Sequence, residues 1–219
     1  MSIIKRVRTK ICGIRSIGDA IASCDAGCDA IGLNFYPESV RCISIKTASE
    51  VMDVISPFVS LVAVFANANE KQVEEVLHGL PRVDYFQFHG VLPNLGVLSN
   101  KRWVMTFSVN ESTSLEQIQN QIDSISDSHF PPSLILIDTK TKGLFGGTGI
   151  PGPWELISKL KFKIPWLLAG GLTPENVAEA IRVTKPYGVD VASGVENSPG
   201  IKCPQKILNF IKNSTFCAG

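Results

Sequence analysis

Short apolar runs, rich in β-branched and aromatic residues, recur along the chain: "TKICGI", "AIGLNF", "SLVAVF", "YFQFHG", "WVMTFSV", "LILIDT", "WLLAGG" and "VDVASGV". Runs of this length, bounded by turn residues, read as strands. The stretches between them carry helical spacing. "SIGDAIASCDAG" ends in a glycine suited to the position after a helix C-terminus. "NEKQVEEVLHGL" places Val73, Val76 and Leu77 on one face. "TPENVAEAIRVT" predicts a helix with Thr173 as N-cap and Pro174 as its first residue. In "VLPNLGVLSNK" any helix is short and starts after Pro93. Eight strands alternating with helices predict a parallel sheet, closed into a (β/α)8 TIM barrel rather than left open and doubly wound. No Pro/Gly/Ser-rich linker and no break in composition divides the chain, so one α/β domain over residues 1–219 is expected.

A parallel barrel places its chemistry at the C-terminal ends of its strands. The interiors of the eight runs are apolar, but their ends are not. Cys12 ends the first, Asn34 the second, His89 the fourth and Asp138 the sixth; Gly170-Gly171 and Ser193-Gly194 end the last two. Glycines after strands 7 and 8 let backbone N–H groups approach an anion, and these loops are the recurrent phosphate site of such barrels. Asp138 shares a strand face with Leu134 and Leu136 and is followed by a long Gly-rich segment. A carboxyl partly desolvated beneath such a loop has a raised pKa and can act as a general acid. Lys10 and Cys12 share the face of the first strand. Cys12 reads equally as a small buried hydrophobe or as a base whose thiolate a cation stabilises.

Composition narrows the classes. The 219 residues are 44% hydrophobic and 19% charged with a formal net charge of +1, which points to no nucleic-acid or membrane partner. Neither a signal peptide nor a run of roughly 18–20 apolar residues is found, so a cytoplasmic location is expected. Cysteines 12, 24, 28, 42, 203 and 217 are expected as free thiols. Cys24 and Cys28 have a spacing that fits one helix face, but no histidine supplies further ligands nearby, so no metal is expected.

The motifs "KICGI", "LNFYPESVRCIS", "VDYFQFHG", "LIDT…GGTG", "LLAGGLTPENV" and "VDVASGVE" occur in this order, and over nearly its whole length the chain resembles the phosphoribosylanthranilate isomerases of tryptophan synthesis. The resemblance implies an Amadori rearrangement of N-(5-phosphoribosyl)anthranilate to 1-(o-carboxyphenylamino)-1-deoxyribulose 5-phosphate, without cofactor or metal. It implies Cys12 as the general base at sugar C2 and Asp138 as the general acid at the ring oxygen. It aims Arg41 at the anthranilate carboxylate, for which a guanidinium is suited bidentately. Lys10 and His89 join the substrate site, and Gly147, Gly170, Gly171, Ser193 and Gly194 the phosphate site. The implied partner is a small phosphosugar, and the chain works as a monomer or a homodimer. Two departures stand out: "GGTGIPGPWELI" keeps Trp154 but lacks the Asp of the family's Phe-Asp-Trp element and carries two prolines, and Cys42 stands where an aromatic is usual. The rivals are a related aminoaldose phosphoribosyl isomerase, which would carry an Asp in place of Cys12, and a catalytically silent phosphate-binding barrel.

Overall fold

Strands β1 (Arg8–Cys12), β2 (Ala30–Asn34), β3 (Ser60–Ala66), β4 (Tyr85–His89), β5 (Arg102–Val109), β6 (Leu134–Thr139), β7 (Trp166–Ala169) and β8 (Gly188–Val191) pair in parallel, each with the next. β1 pairs β8 through Lys10 and Asp190, closing the barrel. This is a computed structural model, and it describes residues 6–98, 101–110, 112–139 and 153–215. Gly147, Gly149 and Cys217 lie outside the described residues.

Alternation along each strand divides side chains between two cores. Ile11, Ile31, Leu33, Phe65, Phe86, Phe88 and Trp103 face outward into the large cluster shared with the helices. Val104, Leu136, Leu167 and Ala169 fill one part of the barrel interior, and Cys12, Val62 and Val64 another. Leu136 and Ala169 therefore continue the inner wall that Asp138 belongs to, its register partner being Ala169.

Around the sheet run α1 (Ile17–Asp25), α2 (Ile45–Val54), α3 (Glu70–Gly79), α4 (Leu115–Ser126), α5 (Pro153–Ile157), α6 (Val177–Thr184) and α7 (Pro204–Thr215). Ser16 caps α1 through Asp19 N–H, and Gly27 follows its last turn. Asn69 and Gln72 form a reciprocal capping box on α3, which buries Val73 and Val76. A 3-10 turn at Leu95–Leu98 fills the short connection after Pro93.

α6 departs from expectation. It starts at Val177 rather than Pro174, because the Asn176 side chain accepts from Thr173 N–H and donates to the Gly171 carbonyl. That side chain folds residues 173–176 into a turn and ties the loop after β7 to the start of the helix. Cys28, expected near Cys24 on one helix face, lies beyond the helix end yet meets the Cys24 sulfur; burial first, then Cys24, pushes its thiol up. Among the described residues no group of three or more His, Cys, Asp or Glu is arranged to hold a metal. Nor is any helix there long and apolar enough to cross a membrane.

A hairpin with no counterpart in the predicted pattern follows β8. After a 3-10 turn at Ser193–Val195, β9 (Glu196–Ser198) pairs antiparallel with β10 (Ile201–Lys202). It carries two charged residues into the closing seam of the barrel.

Candidate active site

Lys10 and Cys12 alternate onto the inner face of β1, and both are buried, at 4% and 8% exposure. Lys10 Nζ donates to Asp190 Oδ1 of β8 at 2.9 Å. Burial works against the Lys10 ammonium, but Asp190 and then Cys12 outweigh it, so its pKa rises. Cys12 feels the opposing set. Burial pushes its thiol up, Lys10 and Lys202 pull it down, Asp190 pushes it up, and the sum lies above the ordinary thiol range.

Glycine after Cys12 is a steric requirement. Gly13 has φ +77°, and a Cβ there would stand 2.6 Å from Arg41 Cδ. The Arg41 stem thus lies across the end of β1. Its Nε and Nη2 donate to Glu196 Oε1 and Oε2 at 2.8 and 2.7 Å, a fork on a fork. Glu196 also accepts from Lys202 Nζ at 2.9 Å and from Gly200 N–H at 3.2 Å. Burial alone would raise this carboxyl, yet the hydrogen bonds from Arg41, Lys202 and Gly200 hold it down at about 2. The same bonds to Glu196 raise Arg41. Lys202 is lowered, because burial exceeds the pull of Glu196.

On the opposite wall, β4 ends in His89, whose Nε2 lies 2.8 Å from the side-chain amide of Gln87. Asp138 stands at the end of β6, beside Ser108 of β5 and Ala169 of β7. Cys12 and Asp138 thus occupy the same end of the barrel on strands three apart around the ring.

The two glycine loops meet. A Cβ on Gly194 would lie 1.8 Å from the Leu172 carbonyl oxygen, so only glycine permits the turn after β8 to press on the loop after β7. Thr139 Oγ1 donates to the carbonyls of Ala169 and Gly170 and anchors that loop to β6. The loop carrying Gly170 and Gly171 and the turn carrying Ser193 and Gly194 are therefore in contact through Leu172 and Gly194, while Gly147 lies outside the described residues. Trp154 of α5 is buried in the outer core.

Of the residues singled out in the sequence, the fold brings Lys10, Cys12 and Arg41 into one electrostatic cluster. Glu196, Lys202 and Asp190 complete that cluster and were not singled out. Their signal was faint: a Glu and a Lys six apart around a "NSPG" turn, and an Asp inside the eighth apolar run.

Comparison with known proteins bears on this arrangement. The family model described as N-(5'phosphoribosyl)anthranilate (PRA) isomerase matches residues 9–213. The N-(5'-phosphoribosyl)anthranilate isomerase of Pseudomonas fluorescens is 40% identical over 205 residues, covering 94% of this chain and 97% of that protein. That of Magnetococcus marinus is 37% identical over 206 residues, covering 94% and 93%. Among solved structures, phosphoribosyl anthranilate isomerase from Thermotoga maritima superposes with a TM-score of 0.78 at 36% identity, covering 95% of this chain and 98% of that one. A phosphoribosyl anthranilate isomerase in complex with reduced 1-(o-carboxyphenylamino)-1-deoxyribulose 5-phosphate superposes with a TM-score of 0.77 at 32% identity, over 95% and 98% of the two chains.

Proposed function

The chain belongs to the N-(5'-phosphoribosyl)anthranilate isomerase family, and from that premise we propose that Cys12 and Asp138 are its general base and general acid. It catalyses the isomerisation of N-(5'-phosphoribosyl)anthranilate in tryptophan biosynthesis. The observation that carries the assignment of roles is the environment of Cys12: a buried thiol at a strand end, with Lys10, Lys202 and Arg41 on one side and a carboxyl at the same barrel end on the other.

Asp138 gives its proton to the ring oxygen as the C1–O bond breaks and the anilino nitrogen pair forms the iminium. The Cys12 thiolate then removes the proton from C2. The C–H electron pair moves into the C1–C2 bond as the iminium collapses, and the enolamine tautomerises to the ketose. The iminium is the electron sink, so a thiolate is basic enough. Each positioned proton transfer contributes about 10²–10⁴-fold. No atom is gained or lost, as an isomerisation demands.

Arg41 orients the substrate carboxylate with its outer edge, formed by Nη1 and Nη2, because Nε and the inner side of Nη2 hold Glu196. Lys10, paired to Asp190, acts on the substrate through Cys12 rather than by contact. His89 shapes the wall of the anthranilate pocket. Backbone groups of Gly170, Gly171, Ser193 and Gly194, with Gly147, hold the phosphate. All of these residues come from one chain, so the reading holds for a monomer and for a homodimer; a Thermotoga maritima relative is described as dimeric.

The deciding experiment follows the fluorescence of phosphoribosylanthranilate generated in situ. Rapid signal loss with the intact protein and its collapse in Cys12→Ser and in Asp138→Asn are expected. Activity surviving in Cys12→Ser would return Cys12 to the core and place the base elsewhere.

A further inference from the structure

The hairpin formed by β9 and β10 brings two charges under the active-site rim that packing does not require. Lys202 has a side chain with no exposed surface, and its Nζ donates to the Ala192 carbonyl at 2.8 Å and to Glu196 Oε1 at 2.9 Å. Ala192, with Ala30 and Tyr85, packs against the cluster formed by Cys12, Val62 and Val64. The buried ammonium is close enough for its charge to act on the thiol, and it pulls the thiol down. Burying a lysine is expensive, and an apolar side chain of similar volume fills such a space at less cost.

The charges around Cys12 explain what the lysine does. Lys10 of β1 is balanced by Asp190 of β8. Arg41, arriving from the loop after β2, is balanced by Glu196 of β9, with both of its bonds to that carboxylate made. Lys202 of β10 shares Glu196 with Arg41, and among the described residues no second carboxylate is paired with it. The five groups thus carry one positive charge in excess, and Cys12 is an ionisable group that interacts with Lys10, Asp190, Lys202 and Arg41. His89 and Asp138 face the same space from β4 and β6, across the mouth of the barrel. A thiolate at Cys12 makes the buried cluster neutral.

We propose that Lys202, tethered by Glu196, is a positioning residue whose charge is the counter-ion of the Cys12 thiolate. The proposal rests on the reading of Cys12 as the base, and it deepens that reading. Glu196 has two functions here. It fixes Lys202 and Arg41 in place, and it sets the excess at one charge rather than two.

The test exploits a difference in sign. Titration of the thiolate by its ultraviolet absorbance, with Cys12→Ser protein subtracted, reads Cys12 without reference to turnover. Lys202→Met removes the counter-ion and raises the Cys12 midpoint by about one pH unit or more, a tenfold loss of thiolate below the midpoint. Lys202→Arg restores it. Glu196→Gln leaves the cluster one charge more positive and lowers the midpoint. The acid limb of kcat/KM moves with the midpoint in each variant. A purely structural hairpin predicts that both variants loosen the site and move the thiol in the same direction, or not at all, and either result overturns the proposal. If Lys202→Met does not fold, the direction of the shift in Glu196→Gln decides alone: a fall supports the proposal, and a rise or no change overturns it. Cys12→Ser separates the two ideas, since activity retained there overturns the base assignment while the titration still reports on Lys202.

Discussion

Arg41 and Glu196 meet through two parallel hydrogen bonds of 2.8 and 2.7 Å, although 155 residues separate them in the chain. The contact joins the loop after the second strand to the hairpin after the eighth, and it lies directly beside the end of β1. Its acid sensitivity follows from its chemistry. The carboxyl sits at about 2 in the folded protein, against an ordinary value of 4.5. A depressed carboxylate contributes stability that is present above the unfolded value and is lost as pH falls through the folded one. Urea midpoints are therefore expected to fall between about pH 4.5 and pH 2, with a flatter dependence in Glu196→Gln. Equal slopes in the two proteins would mean that another carboxylate controls acid unfolding.

Buried and exposed ion pairs should separate sharply. Lys10→Met leaves Asp190 as an unpaired charge inside the barrel, which typically costs about 3–5 kcal/mol. Lys163→Met, which breaks contacts with Asp123 and Asp127 on the surface, should leave the urea midpoint where it was. Denaturation of the two variants side by side checks this, and similar losses would show that Lys10 is better hydrated than its 4% exposure indicates.

Gly194→Ala tests the proposed phosphate site. The added methyl would stand 1.8 Å from the Leu172 carbonyl, so the two loops must move apart. Displacement of a binding element on this scale should raise KM about tenfold or more and weaken competition by inorganic phosphate, with a smaller change in kcat. An unchanged KM would put the phosphate elsewhere.

Thiol reactivity should follow burial and contact. Cys24 is half-exposed, whereas Cys28 is buried and its thiol is pushed up by burial and by the Cys24 sulfur. In native protein at mildly alkaline pH, iodoacetamide is expected to label Cys24 well before Cys28, as read by peptide mass spectrometry. Cys28 labelling first would show that the end of α1 opens readily.

The strands and the faces of their residues were legible because period-two alternation is a local property. Lys10 and Cys12 share the barrel interior as their spacing implied, and Gly27 follows α1 as its position implied. The start of α6 was misplaced because a Thr-Pro pair is a strong local signal. A side chain three residues further on, Asn176, outweighs it by bonding to Thr173 and Gly171. Glu196 and Lys202 escaped notice for a different reason. Arg41, the distant partner of Glu196, and Cys12, on which Lys202 acts, lie on the other side of the barrel closure, and nothing in "VENSPGIK" indicates that they will be there. What a residue pairs with across the seam is a property of topology, and periodicity carries no information about it.

The seam also sets an order of assembly during synthesis. Lys10 waits for Asp190, 180 residues downstream, and Arg41 waits for Glu196. A nascent chain that has emerged as far as the seventh strand already presents Lys10 and Arg41, with neither anion yet available and the first strand still exposed along one edge. Such a chain is a target for chaperones that shield strand edges, and closure depends on the last few dozen residues. A ribosome that stalls shortly before Glu196 would release a molecule with most of its strands and an electrostatically unbalanced mouth. The late-arriving hairpin thus serves as a completion mark, since the charges around the thiol reach their final balance only in chains extended beyond Lys202.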